Sequence, residues 1–284
     1  MSRFRFAILG GDYRYKLIFD SLASDGYTVR AYANSFISPC VSGISELLED
    51  TDVIIGSIPT SKDDETLYLP DVPSVTLKSF FENMYKNNIG IYIGGVISPK
   101  VKNLALKCNI KAYDFFACED VAVYNAIPTA EGAIATAVEE SDITLFGNPV
   151  LVLGYGRVGK VLANMLKGMG ADTYSTYRSE ETAAFIKAFG IKGIPLYELK
   201  SRIGEFSFIF NTIPAEILSR DVLKKANKRC LIIDLAQAPG GTDFGFARDL
   251  NLKALYCPGL PGRTAPKTAA EILKTAVLNI ALTG

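Results

Sequence analysis

Histidine is missing altogether from the 284 residues. Its absence excludes a Ser-His-Asp triad, a His-based zinc site and an imidazole acid or base. Cysteine is sparse: Cys40, Cys108, Cys118, Cys230 and Cys257 are odd in number and form no C-x-x-C. They read as buried thiols in a reducing cytoplasm, and without histidine beside them they predict no metal site. Neither sign of charge prevails, since Lys plus Arg and Asp plus Glu each number 30. Such a balance offers no field to nucleic acid or to an anionic membrane. Apolar runs of transmembrane length are absent, and the opening stretch breaks at Gly10-Gly11 too soon for a signal-peptide core. With 49% hydrophobic residues, the chain is long enough to build two globular domains. A cytoplasmic location is the expectation.

What is present is most informative at Pro149-Val-Leu-Val-Leu-Gly154-Tyr-Gly156-Arg157-Val158-Gly159, where an apolar strand runs into G-x-G-x-x-G and a helical pattern follows over Lys160–Lys167. Gly154 allows the tight turn, Gly156 lets backbone approach a pyrophosphate, and Gly159 lets the helix pack closely on the strand. Flanked in this way, the fingerprint predicts dinucleotide binding; a glycine-rich packing turn is the bland alternative. An acid some 20 residues past the first glycine usually holds the ribose of NAD. Here the strand from Asp172 ends in Arg178 and Ser179 instead. A cation and a hydroxyl suit a 2′-phosphate, so NADP is favoured and NAD is second choice, with Glu180 or Glu181 able to swing in. Asn211, Thr212, Ile213 and Pro214, and then Asp234, Leu235 and Ala236, are expected on the nicotinamide side.

About half the chain precedes this motif, and it repeats the same plan. Strand-like runs near residues 6–11, 52–59, 89–95 and 110–114 have counterparts at 150–154, 206–214, 230–235 and 252–256. Both series carry an Ile-Pro pair (Ile58-Pro59, Ile213-Pro214) and a Gly-Gly pair (Gly94-Gly95, Gly240-Gly241). Continuous apolar strands between helix-length segments predict an α/β protein of two doubly wound, parallel-sheet, Rossmann-like domains with an interdomain cleft. The expected division is residues 1–140 as a substrate or partner domain and 141–269 as the dinucleotide domain, with a C-terminal helix at 270–284 crossing back. A helix over Pro128–Glu139, capped by Thr129 with Glu131 in its first turn, is expected at the boundary. Cys257–Thr268 reads as a stiff loop held by three prolines, with Arg263, Thr264 and Lys267 aimed at an anion and a helix starting near Thr268. Asp12, Arg14, Thr60, Asn125 and Thr129 are the polar groups expected at strand C-termini, where such sheets bind ligands.

Taken together, Gly10-Gly11-Asp12, the run from Glu119 through Asn125 to Glu131, the Gly154 fingerprint, the stretch Asp234–Phe244 and the stretch Pro258–Thr268 resemble the dipicolinate synthase A-subunit family. The resemblance covers nearly the whole chain. It implies production of pyridine-2,6-dicarboxylate from a dihydrodipicolinate-level precursor, a flavoprotein-like partner (the B subunit), and the mother-cell cytoplasm of a sporulating bacterium. It makes Arg14, Arg263 and Lys267 candidate clamps for a dianionic substrate, and Glu119, Asp120, Glu131 and Lys267 candidate catalytic groups. Arg263 stands where the family pattern has lysine, which keeps the charge and changes the contact. More distantly the layout is similar to D-2-hydroxyacid dehydrogenases, alanine dehydrogenase and adenosylhomocysteinase; the hydroxyacid enzymes rely on a histidine that this chain lacks. A generic hydroxy- or amino-acid dehydrogenase and a non-catalytic nucleotide-binding subunit remain the alternatives, and homo-oligomerisation stays open.

Overall fold

Residues 4–283 are described by the structure, a computed structural model. In chain order the first elements are β1 (Arg5–Leu9), α1 (Tyr13–Ser24), β2 (Thr28–Tyr32), α2 (Ile44–Leu48), β3 (Val53–Gly56), α3 (Leu77–Lys86), β4 (Ile91–Gly94), α4 (Pro99–Lys107), β5 (Lys111–Asp114) and α5 (Glu119–Glu140). After α5 come β6 (Pro149–Leu153), α6 (Arg157–Gly168), β7 (Asp172–Tyr177), α7 (Glu180–Ala188), β8 (Lys192–Pro195), α8 (Leu199–Arg202), β9 (Phe208–Asn211), α9 (Arg220–Leu223), β10 (Leu231–Asp234), α10 (Phe244–Asp249), β11 (Lys253–Tyr256), α11 (Leu260–Thr264) and α12 (Pro266–Thr283).

The central strands are short and buried along their whole length, as β3, β9 and β10 show. Strands covered on both faces cannot alternate apolar with polar residues, which is why they read as continuous Val, Ile and Phe runs. They form two parallel sheets, ordered β2-β1-β3-β4-β5 and β11-β10-β9-β6-β7-β8. Read from its other edge, the second sheet repeats the first, with β6, β7, β9, β10 and β11 in the places of β1, β2, β3, β4 and β5 and with β8 added. Both sheets reverse direction beside their first strand, so each has a doubly wound switch point. The matched Ile-Pro pairs follow the equivalent strands β3 and β9. The Gly-Gly pairs are not equivalent: Gly94 ends β4, whereas Gly240 lies in the loop beyond β10.

The chain divides into one unit running to Tyr124 and resuming at Ala265, and a second unit of Asn125–Thr264. In the first, α12 lays Leu273, Val277 and Ile280 into the core that also holds Ile18 and Leu22 of α1. Lys274 Nζ joins the two helices with contacts of 2.7 Å to Asp25 Oδ2 and to Ser21 Oγ.

Several local expectations need correction. The helix expected from Pro128 begins at Glu119, with Pro128 inside it. Thr129 is therefore no cap: its hydroxyl donates to the Asn125 carbonyl one turn back, at 2.7 Å. A Pro-Thr pair reads as a helix start because proline suits a first turn, yet one proline removes one hydrogen bond and a long helix survives that loss. The stiff loop after Cys257 is largely helical, as α11 and then α12 from Pro266. Pro261 and Pro266 lie in the first turns of those helices, where a missing N–H has no intrahelical partner to lose. The last helix starts two residues before Thr268, and the final residue of the expected 270–284 span lies outside the described residues.

Candidate functional site

The three fingerprint glycines answer to different demands. Gly154 has φ +91°, and a Cβ there would come within 2.9 Å of both Ile213 Cγ1 and Thr212 Oγ1. A Cβ on Gly159 would lie 2.1 Å from the Gly154 carbonyl oxygen, so α6 could not pack on the turn. The fold itself requires both glycines. Gly156 is different: a Cβ there meets nothing within 4 Å. It occupies the N-cap of α6 with no side-chain hydrogen bond, so no capping side chain accepts from the first-turn N–H groups of the helix. Arg157 is exposed at that turn and Val158 half-buried.

Neighbouring strands fix the turn. Thr176 Oγ1 accepts from Gly154 N at 2.9 Å, and Thr212 Oγ1 donates to the Leu153 carbonyl at 2.8 Å. A cavity of about 300 Å³ opens here, walled by Gly154, Gly156, Thr176, Arg178, Thr182 and Ile213 among others. Tyr177, Arg178 and Leu196 also line a second cavity of about 440 Å³, together with Glu180 and Tyr197. Arg178 is exposed and belongs to both walls. Ser179 serves as the N-cap of α7, its Oγ accepting from Thr182 N at 3.3 Å. Thr182 and Leu196 were not singled out from sequence; Thr182 was detectable through the S-x-x-T spacing of a capped helix, Leu196 through the unrecognised strand β8.

Asn211 and Asp234, placed by the sequence beside the nicotinamide, are fully buried and face one another at 3.0 Å. Asp234 also accepts from Ala236 N (3.0 Å), Gly241 N (2.8 Å) and Thr242 Oγ1 (2.6 Å). Asn211 grips the backbone of Ile213 from both sides, at 3.1 Å each. These two side chains shape the loops, and Ile213 is what reaches the cavity wall. Thr212 and Leu235 are half-buried, Ala236 buried and Pro214 exposed.

In the first unit, Asp12 caps α1, and its carboxylate clamps Arg14 through Nε at 2.9 Å and Nη2 at 2.7 Å. Burial works to raise the Asp12 carboxyl, but the Arg14 hydrogen bonds and charge outweigh it and hold it below the usual carboxylate range. Arg14 is 8% exposed and thus engaged internally. Thr60 is buried and accepts from the Tyr92 hydroxyl at 3.2 Å. Glu119 and Asp120 stand exposed in the first turn of α5.

In the second unit Glu131 is exposed further along α5, and the buried Asn125 Oδ1 has no hydrogen-bond partner among the described residues. Arg263 turns back to the Pro258 carbonyl at 2.8 Å, while Thr264 Oγ1 closes on Gly132, where a Cβ would lie 2.5 Å away. Lys267 belongs to the first unit, where it is exposed in the first turn of α12.

Two parallel doubly wound sheets, one of them ending in a glycine turn of dinucleotide type, define a two-domain Rossmann-like protein with a dehydrogenase-like fold. Residues 5–116 match the model of the N-terminal domain of the dipicolinate synthase A subunit. The dipicolinate synthase A subunit of Bacillus subtilis (strain 168) is 39% identical over 183 residues, which are 64% of this chain and 62% of that protein's length. Over its whole length the chain superposes on the crystal structure of the dipicolinate synthase A subunit from Bacillus halodurans, at 28% identity and TM-score 0.89, covering 100% of each chain. The crystal structure of the A chain from Bacillus subtilis is matched at 30% identity and TM-score 0.87, over 99% of this chain and 97% of that one. The chain belongs to the dipicolinate synthase A-subunit family. Escherichia coli D-lactate dehydrogenase shares the fold alone, at 13% identity and TM-score 0.65 over 98% and 96% of the two chains.

Proposed function

We propose that the chain is an NADP-dependent oxidoreductase, the A subunit of a dipicolinate synthase, converting a dihydrodipicolinate or its hydroxytetrahydro precursor to dipicolinate. Gly156 carries this reading. Its missing Cβ answers to no contact within the protein, yet a side chain there would fill the space a pyrophosphate needs at the head of α6. The cavity wall beside it ends in the cation Arg178, with no carboxylate in the usual ribose-binding position, which favours NADP over NAD.

When bound, the nicotinamide supplies a hydride acceptor. The first-turn amides of α6 would hold the diphosphate, Arg178 would meet the 2′-phosphate with Thr182 beside it, and Ile213, fixed by Asn211 and Asp234, would bound the pocket. Aromatisation of the ring drives the oxidation, so modest acid–base help suffices. Glu119, Asp120 and Glu131 are the candidate proton acceptors, and Arg263, Thr264 and Lys267 the candidate groups for the substrate carboxylates. Asn125 Oδ1 adds an acceptor that no group among the described residues uses. Asp12 holds Arg14 through Nε and Nη2, which leaves Nη1 as the part of the guanidinium that could meet a substrate carboxylate. A flavoprotein-like partner, the B subunit, and the mother-cell cytoplasm as the place of action belong to the same reading.

Calorimetric titration tests it. NADPH is expected to bind more tightly than NADH, and Arg178→Glu to reverse that order; an NADH preference in the unmutated chain overturns the choice of cofactor. Dipicolinate formation is then assayed with and without the B subunit. Turnover confined to the B subunit, with the chain dispensable for chemistry, would make this chain a nucleotide-binding partner instead.

A further inference from the structure

We propose that Glu180 sets the choice between the two cofactors, by opposing the 2′-phosphate that Arg178 attracts and by accepting the 2′-hydroxyl when that phosphate is absent. The proposal rests on the dinucleotide reading above and adds to it the residue that limits selectivity.

Ser179 is extended, with φ −125° and ψ 150°, between the end of β7 and the start of α7. Side chains two apart across an extended residue project to the same side, and the one between them projects to the other. Ser179 accordingly turns away to cap α7, while Arg178 and Glu180 both line the second cavity. Among the described residues neither makes an ion pair, so a cation and a carboxylate stand on one wall with their charges unspent. The Tyr177 phenol shares that wall and is pushed above its usual range, first by desolvation and then by Glu180, Tyr197 and Glu198. Glu180 thus stands close to a phenol that lines both cavities.

A phosphate drawn to Arg178 at the end of β7 must approach this carboxylate. Two like charges within a Debye length of one another repel, and the repulsion weakens in salt. A ribose carrying a free hydroxyl instead finds an acceptor two residues beyond the position where the usual acid stands. Glu181 lies in the same first turn but lines neither cavity, which makes it a control for the general effect of helix-terminal charge.

The test is titration of the full chain with NADPH and with NADH, for the unmutated protein, Glu180→Gln and Glu181→Gln, at low and high salt. Glu180→Gln is expected to tighten NADPH by about fivefold at low salt and to loosen NADH by roughly twofold. The gain for NADPH is expected to shrink at high salt, and Glu181→Gln to leave the ratio of the two affinities within about twofold. Should the Gln variant fold poorly, Glu180→Ser is expected to move the ratio in the same direction. An unchanged ratio in the Glu180 variants, or an equal shift from Glu181→Gln, overturns the role of Glu180 and leaves the cofactor reading standing. An unmutated chain that binds neither dinucleotide overturns both.

Discussion

At the scale of single residues, Gly156 and Gly159 are one motif in the sequence and two different devices in the fold. Gly156→Val adds a side chain where the protein offers no contact. Its expected effect is loss of dinucleotide binding by calorimetry, with a denaturation midpoint lowered by no more than the change of N-cap residue accounts for, about 1 kcal/mol. Gly159→Ala drives a Cβ against the Gly154 carbonyl and is expected to cost roughly 1–3 kcal/mol of stability in denaturant unfolding. Undiminished binding in the first variant would reduce the fingerprint to a packing turn.

Asp12 gives a pH-dependent counterpart. Its folded pKa is depressed by Arg14, so its contribution is complete above the ordinary carboxylate value of about 3.9 and fades as pH falls through the lower folded value. Arg14→Met is expected to flatten the stability profile in that acid range, measured by denaturant titration from about pH 5 downward. The glycine turn was legible because Gly154 and Gly159 stand where the fold accepts no side chain, and the spacing of those two frames Gly156. Glu180 was legible only as an alternative acid, since its place depends on which way Ser179 turns.

At the scale of elements, legibility followed burial. The strands identified from sequence, such as β3, β9 and β10, are buried at every position. The unmarked ones are β2, whose Thr-Val-Arg-Ala-Tyr carries one buried residue, and β8, whose Lys-Gly-Ile-Pro carries Ile194 alone. The other edge strands, β5 and β11, are hardly more buried, but their Ala-Tyr and Ala-Leu-Tyr keep an apolar run that Arg30 interrupts in β2 and that Gly193 and Pro195 confine to Ile194 in β8. The junction of α1 and α12 was anticipated as a returning helix, but its fastening was not. Lys274 has a side chain 12% exposed and bonds Asp25, which is 46% exposed. Because one partner is substantially solvated, Lys274→Met is expected to cost about 1 kcal/mol, read as a lower denaturation midpoint of the first unit. A shift indistinguishable from zero would mean that the apolar contacts of α12 hold it unaided.

At the scale of the whole molecule, the repeated plan accounts for why fold class was readable when site chemistry was not. Two sheets of the same strand order need only buried runs at matching intervals. Which polar groups serve a ligand depends instead on partners distant in sequence, as the internal use of Arg14 by Asp12 and of Asp234 by Thr242 and Gly241 illustrates. Residue types alone marked these groups as available. Their hydrogen bonds show that several are occupied.

The return of α12 to the first unit has a consequence for biosynthesis. The second unit is an insertion, complete once Thr264 has been made, whereas the first lacks Leu273, Val277 and Ile280 of its core until the last helix leaves the ribosome. Domains ordinarily mature in the order of translation, the N-terminal one first; here the later-encoded unit is expected to mature first. Nascent chains stalled with Thr264 already outside the exit tunnel and α12 (Pro266–Thr283) still held inside it should show a protease-resistant fragment from the second unit while the first is still digested. Resistance of the first unit at that stage would mean that α12 only seals a core already closed. The chain would thus keep its N-terminal half waiting, exposed to chaperones and proteases, for the whole time it takes to synthesise the second unit.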